Sequence, residues 1–273
     1  MMANFKKALA NKGFVVGGCI FLAIALIALV GPLVWTVDPN AQEMTLRLSA
    51  PSPAHPFGCD DFGRDLLARV IAGARVSLGV GIAVTLATSA LGLVIGAYAC
   101  YNERLDHILM RICDGLMSIP GVLLAIALMA MMGASAWNVI IALSIVYTPS
   151  MARIVRSRAM VVKEEPFVEA LRVQGASTAR IVWLHIVPNV MAPFLVQATF
   201  VFAEAVLSEA ALSFLGLGIK APDASWGNIL QAGKNVMRKA WWMIFFPAAA
   251  IIASVLSLNL AGDGLRDALE KAL

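Results

Sequence analysis

A chain of 273 residues that is 60% hydrophobic, only 14% charged and has a mean hydropathy of +0.82 carries more apolar side chain than a water-soluble core of that size can cover. Composition therefore excludes an ordinary soluble domain and points to lipid as the solvent. The formal net charge of +4 and pI near 9.0 would suit a nucleic-acid partner if the cations shared one face. They are instead spread between apolar runs, as in the loops of a membrane protein, so no nucleic acid is expected.

Charge-free runs locate the spans, because a charge at the bilayer centre costs roughly 2.5–3.5 kcal/mol on insertion scales. Such runs lie between Lys12 and Asp38, Arg75 and Glu103, Asp114 and Arg153, Arg180 and Glu204, and Lys239 and Asp263. The third is long enough for two spans of about 20 residues, with a turn at Gly133-Ala134-Ser135-Ala136. The expectation is an all-α polytopic membrane protein with six transmembrane helices, near 14–36, 76–101, 110–132, 137–155, 187–216 and 241–262.

Lys6, Lys7 and Lys12 precede the first run in the manner of a signal peptide. The run is too long for an h-region of 7–15 residues and no A-x-A site follows, so an uncleaved first helix is expected. Residues 37–74 then begin with Asp38-Pro39-Asn40 and Pro51-Ser52-Pro53 punctuation. From Asp61 to Ile71, Phe62, Leu66, Leu67, Val70 and Ile71 recur at helical spacing, predicting an amphipathic helix along the outer interface, capped by Asp60 or Asp61. In the third span Asp114 and Pro120 read as a helix cap and a kink.

Residues 153–188 form a loop rich in Arg and Lys. Pro166 opens a short helix with Phe167, Val168, Ala170, Leu171 and Val173 beside Glu169 and Arg172. Gly175 interrupts it, since glycine tolerates the positive φ that ends a helix. Ser177 or Thr178 can cap a second piece carrying Ile181, Val182 and Leu184, and Pro188 leads into the fifth span. Two readings stay open for this elbow: an apolar-and-acidic knob offered to a cytoplasmic partner, or an interfacial helix that only anchors the loop.

Glu204 and Glu209 are the acids inside a predicted span. One reading puts one of them on a substrate path or proton relay. The other has them near the outer end, satisfied by Ser208, a partner helix or water. Residues 218–240 form a second outer segment, in which Trp226, with Trp241 and Trp242, fits an aromatic belt. Lys and Arg bias, carried mainly by 153–180, places both termini in the cytoplasm.

Several stretches together carry a resemblance. Glu169-Ala170, Gly175-Ala176-Ser177 and His185-Ile186-Val187-Pro188-Asn189 match a cytoplasmic "EAA" signature. His55-Pro56-Phe57-Gly58 through Asp60-Asp61-Phe62-Gly63-Arg64-Asp65, Glu209 with Leu212 to Gly218, and Gly262-Asp263-Gly264-Leu265-Arg266-Asp267 follow in order. The chain resembles the C-type permease subunits of the dipeptide/oligopeptide ABC importers, a family that includes nickel and glutathione permeases. Two positions depart from it: Leu171 stands where Ala is common, and Cys59 where Thr is usual, leaving a lone external thiol.

The resemblance implies a type I ABC importer permease fold in a bacterial cytoplasmic membrane. It implies residues 1–74 as a tail, first helix and long periplasmic loop, and 75–273 as a permease core of five helices with its coupling loop. It also implies a homologous permease as heterodimer partner, two cytoplasmic P-loop ATPases and a periplasmic or lipid-anchored solute-binding protein. Phe167, Val168, Glu169, Ala170, Leu171, Gly175 and Ala176 would form the ATPase-coupling set, with Phe167, Val168 and Leu171 filling a groove on the ATPase. Within an ATP-driven family, the structural reading of Glu209 is favoured over a proton relay.

No G-x-x-x-x-G-K-[S/T] occurs, so ATP and Mg would belong to partner subunits. No H-E-x-x-H or G-x-S-x-G occurs, and the four cysteines and three histidines lack metal or redox spacing. Neither an enzyme nor a resident cofactor or metal is expected. An ion-driven transporter would usually bring an inverted repeat, and none is visible.

Overall fold

The computed structural model describes residues 11–270, with side chains as far as Ala268; Lys6, Lys7 and Lys271 lie outside them. Among the described residues the architecture is helical, with one isolated bridge between Cys59 and Asp65. Helix α1 (Lys12–Val34) is capped by the Asn11 side chain, which accepts from the Gly13 and Phe14 amides. It is apolar all round and lies on α9 (Trp242–Glu270), with Gly17 against the Ser257–Ala261 backbone.

Helix α2 (Leu66–Tyr101) starts earlier than charge placement suggested. Its N-cap is Asp65, whose carboxylate accepts from the Ala68 amide at 2.7 Å. The separate amphipathic helix expected over 61–71 does not exist. Residues 61–64 form a turn in which Gly63 has φ 73°, and 66–71 are the first turns of α2 itself. A domain boundary at 74/75 would cut this helix, so none falls there. Arg75 set the expected start because a charge was taken to end a span, whereas at ~1.5 Å per residue the 36-residue α2 exceeds the ~30 Å hydrocarbon core and carries its first turns outside it.

The third crossing is also not one helix. Helices α3 (Glu103–Met117) and α4 (Gly121–Met132) meet at 90°, with Pro120 at the bend. At ~22 and ~18 Å neither is long enough alone. Proline supplies no amide donor and biases its predecessor toward extended backbone, which is why the break sits there. Asp114 is no cap; it pairs with Arg153 at 2.7 Å. The turn expected at 133–136 is found, with Ser135 capping α5 (Ala136–Lys163). That helix continues past 155, so the loop begins at 164 rather than 153. Arg156 within its last turns pairs with Asp106 of α3.

Helix α6 (Pro166–Val173) is followed by α7 (Thr178–Phe214), which includes a π-helical stretch at Ile181–Ile186. The second piece of the elbow is thus the start of the fifth span. Helix α8 (Trp226–Gly233) opens with a Ser225–Asn228 capping box and is followed by α9. Among the described residues five helices, α1, α2, α5, α7 and α9, are long and apolar enough to cross a membrane, and the bent α3–α4 pair brings the number to six where it is counted as one span.

Helix α2 is the hub, packing on α5 and α7, while α9 packs on α1 and α7. Three apolar clusters fill the bundle. One lies under α8 and the start of α9, one between α2, α4, α5 and α7, and one around Val155, Val162, Ile181 and Val190 at the elbow end. Asn11 meets Asp267, and Trp242 donates to the Cys59 carbonyl at the other end. Both described termini therefore share the end of the bundle that bears α6.

Candidate coupling elbow

Helix α6 has Pro166 in its first turn, where the missing amide proton costs nothing. Its C-terminus closes as a Schellman turn. The Ala176 amide donates to the Leu171 carbonyl at 3.0 Å and the Gly175 amide to that of Arg172 at 3.0 Å, with Gly175 at φ 78°. Nothing stands within 4 Å of a Cβ added at Gly175, so the requirement for glycine there is conformational and not steric. Leu171 and Ala176, the pair this turn brings together, both pack on the cluster around Ile181 and Val182. Ser177 accepts from the Arg180 amide and starts α7, as its sequence position suggested.

The expected coupling residues divide by exposure. Val168 is fully buried in the chain's own cluster, so it cannot fill a groove on another protein. Leu171 is half-buried and holds α6 to the bundle. Phe167, Glu169, Ala170 and Gly175 are exposed, and Val173, 84% exposed, joins them. Phe167, Ala170 and Val173 recur at three-residue spacing and mark one outward face of the helix. Arg172 lies with its guanidinium 5.3 Å from the Tyr101 ring, bracing α6 against the end of α2. The sequence reading missed Val173 and Arg172 as distinct roles because amphipathicity in an eight-residue helix shows an apolar side without saying which half of it is covered.

At the opposite end, polar residues that patterning passed over form a buried lattice. Asp60 receives Arg64 Nε at 2.6 Å and lies 3.5 Å from Arg69 Nε, all three being buried. Asp65 accepts from Trp35 Nε1 at 3.1 Å and lies 2.8 Å from His55 Nδ1, tying the end of α1 and the 55–58 turn to the cap of α2. Burial beside Asp65, Asp60 and Glu43 pushes the Cys59 thiol up to about 11. Cys59 is wholly buried, so its thiol is closed to solvent. Trp226 is likewise no belt residue. It is 1% exposed, fills the outer cluster and donates to the Val70 carbonyl at 3.0 Å.

The carboxylate of Glu209 is enclosed. It accepts from Ser77 Oγ and Ser213 Oγ at 2.7 Å each, and Ser225 adds a third hydroxyl contact. Ser77 Oγ in turn accepts from the Trp226 amide, and Ser213 Oγ from that of Ile219. Ser208, expected to serve the glutamates, is instead hydrogen-bonded to the Tyr147 hydroxyl at 2.7 Å. Glu209 therefore joins α2, α7 and the start of α8, in keeping with the structural reading of it.

Residues 89–273 match the family model described as binding-protein-dependent transport system inner membrane component, and residues 4–51 match the N-terminal TM domain of oligopeptide transport permease C. The chain belongs to this permease family. The permease is 45% identical to a putative peptide transport system permease protein of Brucella abortus biovar 1 (strain 9-941), over 98% of this chain and 90% of that one. It is 42% identical to the dipeptide transport system permease protein DppC of Alkalihalophilus pseudofirmus (97% and 88% covered). It is also 38% identical to the oligopeptide transport system permease protein OppC of Bacillus subtilis (97% and 87% covered). A solved chain of the inward-facing MetNI methionine ABC transporter superposes with a TM-score of 0.61, covering 74% of the permease and 97% of that chain. At 20% identity this likeness speaks for the fold alone, the type I importer permease architecture. The permease is thus a transport subunit of a multi-pass, inner-membrane kind and not an enzyme.

Proposed function

We propose that this permease forms one half of the translocation pathway of an ATP-driven peptide importer, with its elbow transmitting the motion of an ATPase. Peptides are preferred over nickel chelates or glutathione because the relatives cited above are named for peptides, dipeptides and oligopeptides. The observation that carries the coupling role is α6 itself. It is held to the bundle by Val168, Leu171 and Ala176, yet it turns Phe167, Glu169, Ala170 and Val173 outward at the end where the arginine- and lysine-rich α5 terminus emerges. An interfacial anchor would need only an apolar outward face; Glu169 in that face suits a polar contact in a protein groove better.

In this reading the elbow side is cytoplasmic and both termini lie there. A homologous permease completes the pathway, two P-loop ATPases grip the two elbows, and a solute-binding protein delivers cargo to the opposite end. Movement of α6 would be passed directly to α7, because the Gly175 turn is the sole linker between them. Coupling requires that the ATPase hold α6 differently in its ATP-bound and free states.

Affinity capture of this chain from native membranes is expected to recover a sister permease and P-loop ATPases. In the reconstituted complex, Glu169→Ala is expected to lower binding-protein-stimulated ATPase activity while assembly persists. Glu169 is exposed and has no structural duty within the chain, so unchanged coupling in Glu169→Ala and in a Phe167→Ala companion would remove the elbow from the mechanism.

A further inference from the structure

Glu204 has surroundings opposite to those of Glu209. It lies within the fifth span, ten residues before the end of α7. Yet it is exposed, and among the described residues its carboxylate has no hydrogen-bond or ion-pair partner. It opens on a cleft of about 520 Å³ between α7 and α9, together with Gln197, Asn259 and a second exposed carboxylate, Asp263. Those two amides are half-buried, and no partner is found for either side chain.

On the other flank of Glu204, Tyr147 of α5 bonds Ser208 and reaches the Glu204 carbonyl at 3.4 Å, so the polar surface continues from α9 across α7 to α5. Two carboxylates and two amides, unpaired among the described residues, cannot face acyl chains, because each would forgo its water hydrogen bonds for nothing. Polar groups within a span face water or protein.

We propose that this Tyr147–Glu204–Asn259 surface is the permease's wall of the aqueous translocation pathway, and that Glu204 is a charge-selecting group that favours cargo of net positive charge. A second permease pressed onto the same surface would have to supply partners for four separate polar side chains. A water-filled cleft supplies them without any such match, and it leaves the carboxylate free for a passing cation. Gln197 and Asn259, neutral and able both to donate and to accept, can line the path of a peptide backbone without trapping it. The inference rests on the proposed peptide-import function.

The test uses the assembled transporter in proteoliposomes. Glu204→Cys in a Cys19→Ser background is expected to react with a charged, membrane-impermeant thiol reagent, whereas the Cys19→Ser chain, whose remaining cysteines are buried, stays largely unlabelled. In transport, Glu204→Gln is expected to lower uptake of a lysine-containing tripeptide of net charge about +1 roughly fivefold relative to a zwitterionic tripeptide of no net charge, the factor for one added charge pair at about 4 Å in a mostly aqueous cleft. Glu204→Asp is expected to restore most of the preference. Failure of Glu204→Cys to label, or its cross-linking only to the sister permease, would overturn the pathway wall. Equal effects of Glu204→Gln on both tripeptides would overturn charge selection. If the parent complex imports neither tripeptide, it is the peptide-import reading that falls, a result separate from both.

Discussion

The two ends of the bundle are built on opposite plans. At the end that bears α8, that helix and the 35–65 segment are bound into a lattice of buried polar groups, with Asp60, Asp65 and Glu209 each holding two or more partners. At the opposite end α6 stands outward on one fully buried valine and two half-buried side chains. The same Schellman turn ends α6 at Gly175 and α7 at Gly216, yet the side chain of Gln231 crowds Gly216 while nothing approaches Gly175. The lesson is mechanical. A closed lattice resists local change because each removal orphans several buried groups, whereas an exposed lever can change its outer face and keep its footing.

That contrast can be broken most directly at Glu209. Replacing Glu209 by Ala deprives three buried seryl contacts of their acceptor and is expected to cost roughly 3 kcal/mol, seen as a lowered melting temperature in detergent. A melt equal to that of the parent would show that the outer lattice is not a stabilising unit. A smaller effect is expected for Asp65→Ala, which loses the α2 cap and its Trp35 and His55 contacts, at roughly 2 kcal/mol. Protease nicking of the 35–65 segment, which should rise in this variant, would report it. Smallest is Gly175→Ala, at roughly 1–2 kcal/mol for a Cβ in the left-handed region, with little loss of global stability because α6 frays alone. Its effect should appear instead as faster amide exchange confined to 166–176. Exchange spreading through α5 and α7 would mean that the elbow is not an independent lever.

The elbow was legible residue by residue. Pro166, Gly175 and Ser177 act through local backbone chemistry, so the start of α6, its left-handed stop and the cap of α7 can be read without knowing what surrounds them. Helix number was legible for the same kind of reason, since charge-free runs report the membrane directly. Val168 and Trp226 were misread because an apolar or aromatic residue signals that it avoids water. It does not signal whether its cover is its own chain, lipid or a partner.

What the sequence determined alone was the solvent, the five long apolar spans and the turn chemistry of the elbow, because hydropathy, proline and glycine act over a few residues. What the tertiary structure decided was which charges are partnered. Glu204 and Glu209 are five residues apart on one helix and alike in sequence terms. Long-range packing surrounds Glu209 with hydroxyls from α2, α7 and the start of α8, while Glu204 is left facing an open cleft. The pairing of a buried polar group depends on residues more than a hundred positions away, and no local pattern encodes it.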